Sequence, residues 1–276
     1  MKSAPFEYVR PTSLAEASVA LGRKSITTAA IAGGQSLLPM LNLRVVTLDL
    51  LVDISRIEDL KAVTKTPTGI WIGALTTHAA IEDGKVPDIF GGLMRRVAGQ
   101  IAYRAVRNHG TVGGSVALAD PASDWACCLI AFGAEVRVAG RDGMRFQPVA
   151  EFIRAPFDTT LAPGELIVGF DIPGPQKPFR WGFAKVARKS GAFANSMAIA
   201  VSRGNKGPVS VTLGAAGPRP VLLAAVSKQL QAQSPQAAVL LAIEADLNLH
   251  APDSDAYQKR MHTATILRAI RDMRAQ

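Results

Sequence analysis

The chain has 276 residues, 48% hydrophobic and 19% charged, a balance that supports a large core and excludes a disordered polymer. Its formal net charge of +9 is dispersed, and only three Trp and three Tyr are available for stacking, which disfavours nucleic-acid binding and suits an acidic protein neighbour. No apolar run approaches the ~20 residues of a membrane span and no signal-peptide core opens the chain, so a cytoplasmic protein without a transmembrane segment is expected.

Residues 1–56 read as β-α-β-α-β. Phe6 to Arg10 alternates, and Thr12-Ser13 precede a helix over residues 14–21. A β-branched run at 27–31 leads into the loop Ala32-Gly33-Gly34-Gln35-Ser36. Ser36 is placed to cap the following short helix, with Pro39 tolerated in its first turn. A strand at 48–54 closes the unit.

A second unit begins near residue 57. Residues 61–66 and 70–75 form a hairpin about Pro67-Thr68-Gly69, Thr76-Thr77 cap a helix over 78–82, and a further helix is expected over 87–97. The second glycine loop follows, Asn108-His109-Gly110-Thr111-Val112-Gly113-Gly114-Ser115; like the first, it reads as a link from strand to helix. A helix over 122–133, a hairpin about Arg141-Asp142-Gly143 and a strand over 165–173 complete the unit. The proline-rich stretch from Pro173 to Pro178 marks a boundary, giving units 1–175 (subdivided 1–56 and 57–175) and 176–276. The last unit shows strands at 182–188, 196–202 and 209–214, then helices at 220–231, 235–245 and 254–273. In the final helix Tyr257, Met261, Ala264, Leu267, Ile270 and Met273 predict one buried stripe.

Paired glycines let backbone N–H groups approach an anion, because no Cβ stands in the way. Neither loop has the G-x-G-x-x-G or Gly-Lys-Ser/Thr pattern, so each reads either as a different phosphate cradle or as a tight turn. In the cradle reading the donors are the amides near Gly33, Gly34, Gln35 and Ser36, met by Thr111, Gly113 and Gly114 from the opposite side. Asp124 is suited to accept from a ribose hydroxyl or a ring N–H, or to cap its helix. Lys185 either neutralises a diphosphate or faces solvent from its strand. The histidines 78, 109, 250 and 262 show no metal spacing, and His78, His250 and His262 read as caps or surface groups. Adjacent Cys127-Cys128 fit a buried helix better than a redox pair, and two thiols cannot hold an iron–sulfur cluster alone. No nucleophile–His–acid set is present. The expected catalytic set and metal set are therefore empty.

The stretch Ala32-Gly33-Gly34-Gln35-Ser36-Leu37-Leu38-Pro39 resembles the A-G-G-H-S-L-L-P loop of the FAD-binding subunits of molybdenum hydroxylases, the family of the carbon monoxide dehydrogenase medium chain and the flavin part of xanthine dehydrogenase. Arg107 to Gly114 is similar to that family's R-N-x-G-T-I-G-G, Asp120 to Asp124 to its D-P-x-x-D, and the stretches Leu161 to Ile167 and Phe183 to Lys189 also fit. The resemblance implies an α+β chain: a two-subdomain FAD-binding fold of the vanillyl-alcohol-oxidase type over 1–175, then a small α/β sandwich with a three-stranded antiparallel sheet. It implies FAD contacts at Ala32, Gly33, Gly34, Gln35, Ser36, Thr111, Gly113, Gly114, Ser115, Asp124, Ile167, Lys185 and Phe193. It further implies a large molybdopterin subunit and a small [2Fe–2S] subunit as partners, assembled as a dimer of heterotrimers, with electrons passing from the clusters to FAD and on to an external acceptor. Gln35 stands where the family has His, and Phe193 where it often has Tyr. Two other readings are a self-sufficient flavin reductase or oxidase of the same fold and a non-enzymatic basic binding module.

Overall fold

The computed structural model describes residues 2–204 and 207–276. Strand β1 (Glu7–Val9), helix α1 (Leu14–Leu21), strand β2 (Thr28–Ile31), helix α2 (Leu37–Asn42) and strand β3 (Leu50–Asp53) form the first lobe. Its sheet has the order β1-β3-β2, all parallel, with Leu51 opposite both Tyr8 and Ala29. The central strand reads Leu-Leu-Val because both its faces are covered. Leu50 and Val52 enter the main core, whereas Leu51 joins a small cluster with Leu41 and Leu48. Ser13 caps α1 by accepting from the Glu16 amide, as its position before the helix predicts.

The second lobe runs β4 (Val63–Thr66), β5 (Gly69–Gly73), α3 (His78–Glu82), α4 (Leu93–Ala98), α5 (Arg104–Arg107), α6 (Val112–Leu118), α7 (Asp124–Phe132), β6 (Glu135–Gly140), β7 (Gly143–Pro148), α8 (Val149–Phe152), β8 (Ile153–Ala155), β9 (Asp158–Thr159) and β10 (Leu166–Pro173). Five of these strands make a sheet in the order β4-β5-β10-β6-β7, with neighbours antiparallel, and β8 and β9 pair separately. The helix expected over 87–97 is shorter at its start. Gly91 and Gly92 adopt φ of +59° and +87°, which a right-handed helix does not accommodate, and α4 begins only after them. The second glycine loop follows the short helix α5, not a strand.

The third unit is β11 (Phe179–Val186), β12 (Ser196–Arg203), β13 (Val209–Gly214), β14 (Val221–Leu222), α9 (Ala224–Gln231), α10 (Gln236–His250) and α11 (Ala256–Arg274). Its antiparallel sheet has four strands, not three. Residues 221–222, expected in a helix, pair with Leu213 and Thr212 as β14, and α9 starts only after Leu223. The buried stripe of α11 is also rotated from expectation. His262, Thr265, Ile266, Ala269, Ile270 and Met273 are buried, while Tyr257 is 67% exposed. Polar residues take the inner face because their hydrogen bonds are met. His262 Nδ1 lies 2.9 Å from the Ser196 hydroxyl, and the Thr265 hydroxyl donates to the Met261 carbonyl at 2.8 Å.

Helix α7 organises the whole molecule. Every residue in it is buried, as a helix apolar on all sides must be. It lies between the five-stranded sheet and the C-terminal sheet, touching β10 on one side and β12 and β13 on the other. Met197, Ile199 and Val201 of β12 join the main core on the α7 side. Ala198 and Ala200 face the opposite cluster with α9, α10 and α11. Cys127 and Cys128 are free thiols inside this layer, with burial pushing both pKa values upward. Arg203 donates to the carbonyls of Ala131 and Phe132 at the end of α7. No helix among the described residues is long and apolar enough to cross a membrane.

Candidate functional site

The two glycine loops meet. A Cβ built on Gly33 would lie 1.9 Å from the His109 carbonyl oxygen and 3.0 Å from the Gly110 nitrogen, so only glycine permits this contact. Gly114 faces the same region, with a Cβ there 4.0 Å from that of Ala32.

The first loop has four consecutive backbone donors to spare. Among the described residues, the amides of Gly33, Gly34, Gln35 and Ser36 donate to no protein acceptor. Gly34 has φ of +70°, which turns consecutive N–H groups toward a common point. Gln35 folds back, its Nε2 donating to the Gly33 carbonyl at 2.9 Å. Ser36 occupies the cap position of α2 but its side chain makes no capping bond, so that expectation fails and the hydroxyl is uncommitted. A Cβ at Gly34 would point at the Leu38 and Ile31 side chains, beneath the loop.

The second loop differs from expectation. The Gly113 amide donates to the Ala74 carbonyl, that of Val112 to Thr76, and that of Ser115 to the Thr111 carbonyl. The Gly114 amide is taken by the Thr111 hydroxyl at 3.0 Å, which caps α6. The amides of Gly113 and Gly114 are therefore spent inside the protein. Gly113 is required because a Cβ would lie 2.7 Å from the Ala74 carbonyl oxygen. Gly114 is different. It is the third residue of α6, where a capped helix ordinarily carries a side chain; a Cβ there would press on the Thr111 hydroxyl at 2.9 Å, and on the side toward the first loop would meet only the Cβ of Ala32, at 4.0 Å.

Asp124 and Lys185 form a buried ion pair. The ammonium lies 2.8 and 3.0 Å from the two carboxylate oxygens and 3.3 Å from the Gln100 carbonyl. These acceptors match the three hydrogens of the group. The side chains are only 5% and 6% exposed. Neither local expectation holds: Lys185 does not face solvent, and the cap of α7 is Ser123, which accepts from the Ala126 amide. Burial pushes the Asp124 carboxyl upward from its ordinary value, and the Lys185 ammonium opposes that shift. Ser115 joins this corner through its hydroxyl, 2.9 Å from that of Ser123.

Ile167 is buried on β10, where the Val168 carbonyl accepts from the Ala74 amide. Through Ala74 the strand is tied to Gly113. Phe193 is 63% exposed, on the turn after β11. That turn packs against the segment before α5, because a Cβ on Gly191 would lie 2.6 Å from the Ala102 carbonyl oxygen.

Several supporting residues escaped sequence reasoning. Arg107 forks onto Glu82 at 2.8 and 2.9 Å and also holds the Ile101 and Ala102 carbonyls. Arg104 forks onto Asp83. These pairs clamp α5, and so the start of the second loop, to the end of α3. Arginines just before a glycine loop, with an acid pair closing a capped helix, are a sequence signal for such a clamp. His78 is buried rather than a surface group. Its Nδ1 accepts from the Trp125 indole N–H at 2.9 Å. Burial first, and the Arg107 charge second, lower its pKa to about 4. The unfolded chain takes up a proton at His78 below about pH 6.5 that the native state refuses. Stability is therefore expected to fall by up to roughly 3 kcal/mol between about pH 6.5 and 4, with no further loss from this group below pH 4. Urea titrations across this range, with His78→Asn as control, measure the slope; an equal slope in the control removes His78 as its source.

Residues 4–175 match the family described as the FAD binding domain in molybdopterin dehydrogenase. The glyceraldehyde dehydrogenase medium chain of Sulfolobus acidocaldarius is 36% identical over 203 residues, 73% of this chain and 72% of that protein. Among solved structures, a carbon monoxide dehydrogenase from Hydrogenophaga pseudoflava, which lacks the Mo-pyranopterin moiety of its molybdenum cofactor, aligns with a TM-score of 0.93 at 28% identity. The match covers 100% of this chain and 99% of that one. Quinoline 2-oxidoreductase from Pseudomonas putida 86 aligns with a TM-score of 0.88, also at 28% identity and with the same coverage.

Proposed function

This chain belongs to the family of FAD-binding domains of molybdopterin dehydrogenases, and we propose that it is the electron-transfer subunit of such an enzyme, holding FAD between the iron–sulfur clusters of a partner and an external acceptor. Family membership makes it a flavoprotein component of an oxidoreductase. The observation that carries the placement of FAD is the meeting of Gly33 with His109 and Gly110 beside four uncommitted amides. A diphosphate needs such donors, and the absence of a side chain on Gly114, opposite Ala32, leaves it room.

In this reading the amides of Gly33, Gly34, Gln35 and Ser36, with the Ser36 hydroxyl, hold the diphosphate. Ala32, Thr111, Gly113, Gly114 and Ser115 shape the opposing wall. The Thr111 amide is the second loop's own donor, since its neighbours' amides are engaged. The paired charges of Asp124 and Lys185 orient polar edges of the cofactor, and Ile167 and Phe193 flank its ring. FAD, when bound, supplies chemistry no side chain has: it takes electrons singly and gives them up in pairs. The two lobes before residue 176 then correspond to the two subdomains of a vanillyl-alcohol-oxidase-type fold, with residues 176–276 as the C-terminal domain.

We assign substrate oxidation to a large molybdopterin subunit and cluster binding to a small [2Fe–2S] subunit, in a dimer of heterotrimers. The relatives named above carry the names of enzymes for glyceraldehyde, carbon monoxide and quinoline. That range fits a flavin subunit that does not select the substrate. Purified chain is expected to bind one FAD with a visible flavin spectrum, to co-purify with molybdenum- and iron-containing subunits when expressed with them, and to oxidise no organic substrate alone. Turnover of a small-molecule donor by the isolated chain would favour a self-sufficient flavoenzyme. A folded chain without affinity for FAD would end the proposal.

A further inference from the structure

We propose that His78 is a positioning residue for flavin binding, a tie between the loop that carries Thr111 and Gly114 and the helix that carries Asp124. The inference rests on FAD lying between the glycine loops, and it assigns a role to a side chain outside that cleft. His78 is the first residue of α3, fixed there by the Thr77 cap. Three contacts meet on it. Its main-chain N–H donates to the Gly110 carbonyl at 3.0 Å. Its ring lies directly under Gly110, where a Cβ would come within 2.8 Å of Nε2. Its Nδ1 accepts from the indole N–H of Trp125, the residue next to Asp124 on α7.

One imidazole thus touches both halves of the candidate site. The ring is 5% exposed and Trp125 is fully buried, so water cannot replace the bond if either partner is removed. The charged groups nearby are Arg107 on α5, Glu82 on the same helix as His78, and Asp124 on α7. Arg107 is engaged by Glu82 and Asp124 by Lys185, which leaves His78 no carboxylate that would draw a second proton onto it. It remains a neutral acceptor through Nδ1, with the proton on Nε2 assigned from this bond. The geometry gives His78 a task a purely apolar core residue could not perform: it sets the distance from Gly110 to α7.

The test is an FAD titration of the flavin-stripped, full-length chain followed by flavin fluorescence, with thermal unfolding of each stripped variant recorded separately. His78→Leu and Trp125→Phe are each expected to weaken FAD binding about tenfold, the loss attached to one buried hydrogen bond. His78→Asn places an acceptor near the position of Nδ1 and is expected to stay within about threefold of the unsubstituted chain. The combined Leu and Phe variant is expected to be no weaker than either single change, because the two substitutions break one tie. The proposal is overturned if folded His78→Leu binds FAD as tightly as the unsubstituted chain, or if His78→Asn loses as much affinity as His78→Leu. Should His78→Leu not fold, undiminished binding by Trp125→Phe overturns it alone. Failure of the unsubstituted chain to bind FAD would instead count against the cleft itself.

Discussion

Lys185→Met is expected to destabilise the folded chain by about 3–5 kcal/mol at neutral pH, the usual consequence of stripping one partner from a buried ion pair. The substitution leaves the Asp124 carboxylate 6% exposed with no counter-charge and removes the bond to the Gln100 carbonyl. Burial already pushes that carboxyl upward, and without Lys185 only its main-chain hydrogen bond opposes the shift. A buried acid whose folded pKa lies above its unfolded one costs stability at high pH and ceases to as it protonates. The defect should therefore shrink as pH falls toward the ordinary carboxylate range. Urea unfolding of Lys185→Met at neutral and mildly acidic pH measures this. Adding Asp124→Leu should restore most of the lost stability, since an apolar pair replaces an orphaned charge, but it should not restore FAD binding. A double variant as unstable as the single one would show that the lysine matters for its packing and not for its charge.

The second large effect separates fold from binding. Gly114→Val should abolish FAD uptake, with a loss of at least about 100-fold, or about 2.7 kcal/mol, while the flavin-free chain still folds, losing no more than about the 1 kcal/mol of a disturbed helix cap. Replacing a helical glycine removes a known penalty, but the new Cβ would lie 2.9 Å from the Thr111 hydroxyl that caps α6, so the cap must shift, and 4.0 Å from the Cβ of Ala32. The remainder of the side chain enters the space between the loops. Gly33→Val is the contrasting change. Its Cβ is driven into the His109 carbonyl, so fold and flavin uptake should fail together. Gly34→Val tests something else, since its side chain would press on Leu38 and Ile31 below the loop and strain a backbone at positive φ. Unimpaired flavin binding by Gly114→Val would show that the open face of that glycine is not where the cofactor passes.

Local signals carried far in this chain, and contacts between distant elements did not. Ser13 and Thr77 cap the helices their positions announce, and the hairpins about Pro67-Thr68-Gly69 and Arg141-Asp142-Gly143 pair as their turn residues require. The glycine loops could be found from composition alone, because a backbone that must be approached closely needs glycine whatever it contacts. What approaches it is a tertiary fact. Asp124 and Lys185 are 61 positions apart, and His78 and Trp125 are 47; in sequence Asp124, Lys185 and His78 look like caps or surface residues, and Trp125 like one more apolar residue of a buried helix. The expected amide donors of Gly113 and Gly114 fail for the same reason, since the carbonyl of Ala74 and the hydroxyl of Thr111 reach them first. The buried face of α11 departs from the apolar periodicity because periodicity counts only hydrophobicity, whereas His262 and Thr265 are buried with their hydrogen bonds met.

Lys185 arrives from β11 while the helix bearing Asp124 is roofed by β12 and β13. A gene fragment encoding only residues 4–175 would thus leave the Asp124 carboxylate without its counter-charge and one apolar flank of its helix open to water. Such a fragment should be sticky and prone to self-association, and supplying the missing piece in trans should rescue it. Shuffling this flavin module between enzymes therefore has to carry residues 176–276 along, and recombination crossovers near the proline-rich junction should be poorly tolerated.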